Sequence, residues 1–548
     1  MAADTATGAS TVRGASAVAA RAAFGLYPAS DFRLTDGQCT DCPTIPQALW
    51  YFRHETIAVP KPGSPVASFA TGVPTPADIR AWLAGREPGA APEYPPLVWV
   101  AAPDVIAGAR LSADATTLEH ATGTLHASLA PKIALNRSYF DASSAAFFCR
   151  RTVKVRGRIA DGTIVIRTLW PEDFRLDRAP ASQRLAADLP HPLALRALIR
   201  SEPAGGARSP FAASTLWQRD PARPPVPPGR AVLGLMVNGA QGDDDEAHAG
   251  HFAIVTGRTR DDGAIGDWLV NNFYTLDSES EKGILAAPVP LDNYLADLNS
   301  GQGWYRPTHM LVAVLAGDRA SALVQAALNR VYNQLWRHQL VYRHATMNCT
   351  GISVDVLRTL GWEVPVRGPA SRVVAALGFP YFALRERSIA KACVGFDYLT
   401  ADQTRLMPAA AFEEAGASLL ALVAADTAKA RKTGTLARML AADLDAVAFV
   451  RFPQFPSSRK FGDAPAVTVR EFHSRVPAEP GLLQIVPVPP RPFPATLRDP
   501  DLLPERRPAS SYAAMIWGVL LVVGIPIFLY RRWLRWRNRG NDSPGGTG

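Results

Sequence analysis

Four apolar runs in the middle of the chain have the length and composition of β-strands. They are AVLGLMV (231–237), HFAIVTG (251–257), WLVNNFY (268–274) and HMLVAVL (309–315). Short apolar runs that are rich in β-branched and aromatic residues are typical of strands. Two helices are predicted to follow, at about 319–337 and 349–360. The sequence therefore predicts a compact α+β unit over about 230–390.

Other patterns divide the rest of the chain. Residues 153–158 and 163–168 flank Asp161-Gly162, which predicts a β-hairpin, and the proline-rich run 221–229 marks a boundary. The predicted parts are an N-terminal segment with a Cys-x-x-Cys pair (1–44), a mixed α/β region without identifiable chemistry (45–220), the α+β unit (230–390), a helical extension (391–475), a proline-rich stalk (476–510), an apolar segment (511–530) and a basic tail (531–548).

The apolar segment predicts a transmembrane helix. Residues 512–530, YAAMIWGVLLVVGIPIFLY, carry no charge, and as a helix they would span roughly 28 Å. Arginines are more frequent after this segment than before it, which favours a cytoplasmic tail and a large extracytoplasmic domain. We therefore expect a single-pass protein of the inner, cytoplasmic membrane. The expected signal peptide is not evident, since only GASAVAA lies between Arg13 and Arg21.

Composition narrows the classes of function. The chain has 548 residues, 58 Lys plus Arg against 49 Asp plus Glu, and 47% hydrophobic residues, so it is long enough for roughly two to four folded domains. Its net charge of +9 is partly concentrated in the tail, so we expect no nucleic-acid partner. Five cysteines are too few for a disulfide-built scaffold. Cys39 and Cys42 are expected to form a local structural pair or a disulfide.

One cysteine has the setting of a nucleophile. Asn348 is a good N-cap residue, Ile352, Val356 and Leu360 share one helical face, and Gly361 follows as a stop signal. Cys349 therefore begins a helix, where the dipole and the free N–H groups favour a thiolate and can hold an oxyanion. A small buried cysteine without a chemical role is the alternative interpretation.

A thiol nucleophile needs a base, and His251 is the candidate. A hairpin around Asp262-Gly263 would place Tyr274 opposite His251 and Asn272 opposite Ala253, on one face of the sheet. Asn272 can then hold the imidazole. Asn271 takes this role if the register slips by one residue, and His344 replaces His251 if the register fails. His309 and His338 are expected to be structural.

This order of histidine strand, polar residue on the next strand and Asn-Cys at a helix start resembles the circularly permuted NlpC-type papain-like thiol enzymes. That group includes the lecithin retinol acyltransferase relatives and the N-terminal periplasmic domain of Lnb-type lipoprotein acyltransferases. The resemblance covers about 230–390. It implies a papain-like fold in which Cys349 is the nucleophile, His251 the general base and Asn272 the orienting group.

The expected function is therefore cysteine-dependent acyl transfer, as an amidase, peptidase or acyltransferase, without a cofactor. Membrane tethering would make a cell-envelope peptide, lipoprotein or lipid the substrate. Asn348, Tyr305 and Arg306 are candidates for substrate binding, the last two in a turn, GQGWYRP, that can line a cleft.

Two other functions remain open at this point. The segment from Asp243 to His251 holds four carboxylates and two histidines, which suggests a metal-dependent hydrolase, but it lacks HExxH and has the composition of a loop. The second alternative is a membrane-anchored binding or scaffold protein that has no activity. The reactivity of Cys349 relative to the other four cysteines distinguishes this second alternative from a thiol enzyme.

Overall fold

The computed structural model describes residues 23–129 except 69 and 88, 140–201, 209–240, 250–276, 283–369 except 305, 372–424, 434–456, 466–474, 492–499, 517, 520 and 524–539. The strands are β1 Ala23–Phe24, β2 Tyr27–Pro28, β3 Phe32–Asp36, β4 Thr56–Pro60, β5 Val98–Ala101, β6 Asp104–Leu111, β7 Thr117–His120, β8 Gly123–Leu129, β9 Val153–Ala160, β10 Thr163–Pro171, β11 Ala181–Ser182, β12 Ala212–Gln218, β13 Ala231–Asn238, β14 His251–Arg258, β15 Leu269–Asn272, β16 Ala287–Pro290, β17 Thr308–Leu315 and β18 Leu444–Phe452.

The helices lie between and after these strands. They are α1 Pro46–Tyr51, α2 Thr75–Ala84, α3 Ala142–Phe148, α4 His191–Leu198, α5 Leu291–Ala296, α6 Arg319–Trp336, α7 Cys349–Thr359, α8 Arg372–Arg385, α9 Ile389–Thr400, α10 Gln403–Leu406, α11 Pro408–Ala424, α12 Thr435–Asp443, α13 Val469–His473 and α14 Ile525–Arg539. The chain is thus α+β. The two helices predicted after the four apolar runs are α6 and α7.

An eight-stranded sheet forms the centre of the molecule, in the order β11-β12-β18-β17-β13-β14-β15-β16. The four predicted apolar runs supply β13, β14, β15 and β17. Every residue of β13 and β17 is buried, as continuous apolar runs require when both faces of a sheet are covered. Strands β11, β12 and β18 come from outside 230–390, so the sheet draws on a longer part of the chain than that range.

A buried polar network fixes helix α6 to the sheet. Thr256 on β14 donates its hydroxyl to Oε1 of Gln325 on α6 at 2.6 Å. Asn271 on β15 and Gln325 exchange two amide hydrogen bonds of 3.0 and 2.9 Å. Because buried polar groups are costly unless they are satisfied, these contacts specify how the helix sits against β14 and β15.

A second sheet, β10-β8-β7-β6-β9, closes into a five-stranded barrel. Its β9–β10 hairpin has the predicted Asp161-Gly162 turn, with both residues at positive φ, which confirms the predicted hairpin. Ion pairs connect this barrel to α5 and the residue after it: Lys154 and Arg156 contact Asp292 at 2.6 and 3.0 Å, and Arg167 contacts Asp297 at 3.0 Å. The side chains of Asp292 and Asp297 are fully buried. The barrel is therefore attached to α5 through buried ion pairs, and separating them would leave buried charges without a partner at a high energetic cost.

The transmembrane prediction is wrong. Within the described ranges, no helix is both long enough and apolar enough to cross a membrane. The helix α14 in this region has 15 residues and is rich in arginine from Arg531 onward. Much of 512–523 lies outside the described residues. The predicted single-pass topology and inner-membrane location, and the transmembrane part of the predicted fold class, are corrected accordingly.

Two further terminal features have partners in the fold. Cys39 and Cys42 are joined by a disulfide. Within the predicted stalk, Phe493 stacks on Tyr51 with a centroid distance of 5.5 Å, and Asp499 accepts a 3.1 Å contact from Arg337. Residues 492–499 therefore lie against the folded core, while 475–491 lie outside the described residues.

Candidate functional site

Cys349 is the first residue of α7, and Asn348 caps that helix. The Asn348 side-chain oxygen accepts the N–H of Gly351 at 2.8 Å. Its amide nitrogen donates to the carbonyls of His344 at 2.9 Å and Leu406 at 3.1 Å. Asn348, which the sequence proposed for substrate binding, thus uses its side chain to fix the backbone that carries Cys349.

His251 is the first residue of β14, and α7 packs against this strand. Cys349 and His251 are both buried, each 5% exposed. The buried Nε2 atom of His251 has no hydrogen-bond partner among the described residues. Because α7 packs against β14 and His251 acts directly on the Cys349 sulfur, the structure brings together the predicted nucleophile and the predicted base.

The electrostatics of this pair favour a thiolate. Burial raises the pKa of the Cys349 thiol, because a charged sulfur is poorly solvated in the interior. The charge and hydrogen bond of His251 act in the opposite direction, and the Phe252 N–H and the Thr350 hydroxyl assist them. Together these groups lower the pKa of Cys349 from its ordinary value of 9.0 to about 6. A thiol with this pKa is largely ionised at neutral pH.

Tyr342 is a site residue that the sequence analysis missed. Burial is the main reason that the pKa of its hydroxyl is raised well above 10, and the nearby Cys349 thiolate raises it further. The backbone N–H of Cys349 also contributes a hydrogen bond to Tyr342. The ring lies 5.9 Å from that of Tyr274. Tyr342 occurs in an irregular segment between α6 and α7, where no periodic pattern identifies it.

The predicted β-hairpin register is observed, but Asn272 has a different contact. Ile254 pairs with Asn271 and Thr256 with Leu269, which is the register that places Asn272 opposite Ala253. The Asn272 amide donates to the carbonyl of Leu285 at 3.0 Å. Its orienting role towards His251 therefore stays a prediction. Asn271 belongs to the Gln325 network on the opposite face.

On the other side of His251 lies a buried pair formed by Asn238 and Tyr294. Asn238 is directly opposite His251 in the β13–β14 register. The Tyr294 hydroxyl donates to the side-chain oxygen of Asn238. The Asn238 amide nitrogen donates to the Thr308 hydroxyl at 2.8 Å. The rings of Tyr294 and His251 lie 6.2 Å apart. Since Tyr294 belongs to α5, which carries Asp292, the ion pairs of the barrel support this wall of the site.

The remaining candidates lie elsewhere or outside the description. Arg306 is buried near Thr308, and Tyr305 lies outside the described residues. His344 is exposed beside Tyr342, while His338 contacts Tyr51 and Phe493. His309 is buried and stacks on Phe449.

The acidic segment that suggested a metal site lies outside the described residues from Asp243 to His248. In the ranges that the structure does describe, no group of three or more potential metal ligands occurs.

The arrangement provides the parts that acyl transfer needs: a thiolate at a helix start, an imidazole beside it, and N–H and hydroxyl donors around the sulfur. Comparison of the chain with protein-family models, curated proteins and solved structures found no match.

Proposed function

We propose that this protein is a cysteine-dependent acyl-transfer enzyme. The observation that carries the proposal is the buried Cys349–His251 pair at the start of α7, with a thiol pKa of about 6. A structural cysteine buried among apolar groups would have a raised pKa. The chain order of His251 before Cys349 resembles that of the permuted papain-like thiol enzymes and supports the same reaction class.

In the proposed reaction, the Cys349 sulfur attacks the carbonyl carbon of an amide or ester. The negative charge that develops on the carbonyl oxygen is stabilised by the helix dipole at the start of α7, by the Cys349 N–H, which exchanges Tyr342 for the substrate oxygen, and by the Tyr342 hydroxyl. His251 then gives a proton to the departing amine or alcohol, and the acyl group stays on sulfur as a thioester. In the second half, His251 takes a proton from water or from an acceptor amine or hydroxyl, which attacks the thioester and regenerates the thiolate.

The expectation of a cell-envelope substrate depended on a membrane-spanning helix. Since that helix prediction is wrong, the proposal names no substrate beyond an amide or ester carbonyl.

The test is labelling and turnover with matched cysteine variants. A mild thiol electrophile should modify Cys349 faster than Cys149 and Cys393, as peptide mass spectrometry after short exposures can establish. Cys349→Ser should abolish hydrolysis of activated esters, because a serine hydroxyl is a far weaker nucleophile at neutral pH. Cys149→Ser and Cys393→Ser serve as controls and should retain the activity. Equal labelling of the three thiols, or full activity in Cys349→Ser, would favour a binding protein that has no catalytic thiol.

A further inference from the structure

An apolar cavity of about 180 Å³ lies beside the start of α7, between this helix and α2. Its apolar wall is formed by Pro76 and Ile79 of α2, Leu340 and Met347 of the segment before α7, and Ile352 and Val356 of α7. Of the polar side chains in its lining, Asp355 pairs with Arg405 at 2.6 Å, and the hydroxyls of Thr75 and Thr359 have hydrogen-bond partners within the protein. Gln339 donates to Asp499 at 2.9 Å, and its side-chain oxygen has no partner among the described residues. The cavity therefore offers mainly apolar contacts to an occupant.

Cys349 does not itself line the cavity, but residues on both sides of it in the chain do. Met347 precedes Cys349 by two residues, and Ile352 follows it by three residues, about 4.5 Å along the helix axis. Cys349, Ile352 and Val356 share one side of α7, since residues three and four apart on a helix are neighbours. The segment between α6 and α7 supplies Leu340 and Met347 to the cavity and Tyr342 to the sulfur, so one segment borders both.

We infer that this cavity is the acyl-group subsite, which binds a compact apolar group attached to the carbonyl that Cys349 attacks. The inference rests on the proposed function and deepens it by naming the substrate class. Liquid water occupies about 30 Å³ per molecule, so the cavity holds roughly six water-sized groups. This volume matches an acyl substituent of about six carbons. A short fatty acyl chain and an apolar amino-acid side chain both provide such a group.

The subsite is tested with a series of activated esters whose acyl group lengthens from acetyl to butyryl, hexanoyl, octanoyl and dodecanoyl. Each buried methylene contributes about 0.8 kcal/mol, which is roughly a fourfold gain in kcat/KM. The gain should continue to about six carbons and then stop, because longer chains exceed the cavity. An N-acetyl-leucine ester, compared with the hexanoyl ester, separates the amino-acid source from the fatty-acyl source.

Variants of Met347 make the test specific, because this side chain is half-buried and lines the cavity. Met347→Trp should shift the preferred chain length towards acetyl, and Met347→Ala should shift it towards octanoyl. Met439→Trp is the matched control, since Met439 is a partly buried methionine on α12, and it should leave the chain-length profile unchanged. Thermal unfolding of each variant establishes that it is folded.

The failures of the two proposals are distinguishable. Turnover that requires Cys349 but shows no dependence on chain length, or an unchanged profile in both folded Met347 variants, overturns the subsite and leaves the acyl-transfer function intact. Equal ester turnover by the wild-type protein and Cys349→Ser overturns the acyl-transfer function itself.

Discussion

Replacing His251 by alanine tests the central electrostatic claim. In the native protein, the charge and hydrogen bond of His251 act with the Phe252 N–H and the Thr350 hydroxyl against the burial of Cys349, and together they lower the thiol pKa from 9.0 to about 6. This difference corresponds to about 4 kcal/mol of preferential stabilisation of the thiolate. Without the imidazole, burial remains and continues to disfavour the charged sulfur. The thiol pKa in His251→Ala should therefore rise to about 9 or above.

The midpoint of a pH profile is a better measure than a single rate. At pH 7 the thiolate fraction should fall from about 90% to about 1%. A thiolate of higher pKa is also the stronger nucleophile. With a Brønsted coefficient of about 0.4–0.5, the rate constant of each thiolate rises roughly 20-fold for this change in pKa. The observed reaction rate at pH 7 then falls only about fivefold, whereas the pH midpoint of the rate moves from about 6 to about 9 or above.

The assay is exchange of Cys349 with a small neutral disulfide between pH 4 and pH 10. Cys149 and Cys393 are replaced by serine so that a single free thiol remains. The parent should show a midpoint of about 6 and His251→Ala a midpoint of about 9 or above. His344→Ala is the control, because His344 is exposed, and its midpoint should stay at about 6. A midpoint that stays at about 6 in a folded His251→Ala variant would show that His251 does not lower the thiol pKa.

Three further predictions concern stability and the neighbours of the site. Asp292→Asn should lower the free energy of unfolding by about 3 kcal/mol in urea denaturation, because Lys154 and Arg156 lose their fully buried partner and keep only Asp267. Arg223→Ala, which removes an exposed ion pair with Asp220, should change the free energy of unfolding by less than about 1 kcal/mol. Burial, with Arg451 and Arg200 nearby, lowers the pKa of His309 from 6.5 to about 3. The unfolded chain therefore binds a proton at His309 below pH 6.5, whereas the folded chain binds it only near pH 3. The free energy of unfolding falls as the pH drops from 6.5 towards 3, by about 3 kcal/mol at pH 4. His309→Phe should remove this contribution, and an equal acid loss in the variant would contradict it. Asn272→Ala should cost about 1–3 kcal/mol, since the Leu285 carbonyl loses its donor, and should leave the Cys349 midpoint at about 6. A raised midpoint would instead indicate that Asn272 orients His251.

Local patterns predicted the parts of the fold that depend on neighbouring residues. The apolar runs identified β13, β14 and β17, and the Asn348 cap identified the start of α7. Pairings between distant segments leave no such pattern. The position of β18 in the central sheet and the contact of Tyr342 with Cys349 belong to this class. Hydropathy also misled at 512–530, where an uncharged run of sufficient length suggested a membrane span, whereas the part of the chain that the structure describes holds no helix long and apolar enough to cross a membrane.

The strand order of the central sheet has a consequence for biosynthesis. Strand β12 is hydrogen-bonded to β18, which lies between it and β17. β18 ends at Phe452, more than 200 residues after β12. At roughly 5–20 residues per second, a ribosome needs on the order of 10–45 s to make the intervening chain. Throughout that interval the edge of β12 that β18 will occupy is unpaired on the nascent chain, and the matching edge of β17 is unpaired from the synthesis of Leu315 onward. These edges are therefore where a chaperone can bind and where two nascent chains can associate wrongly.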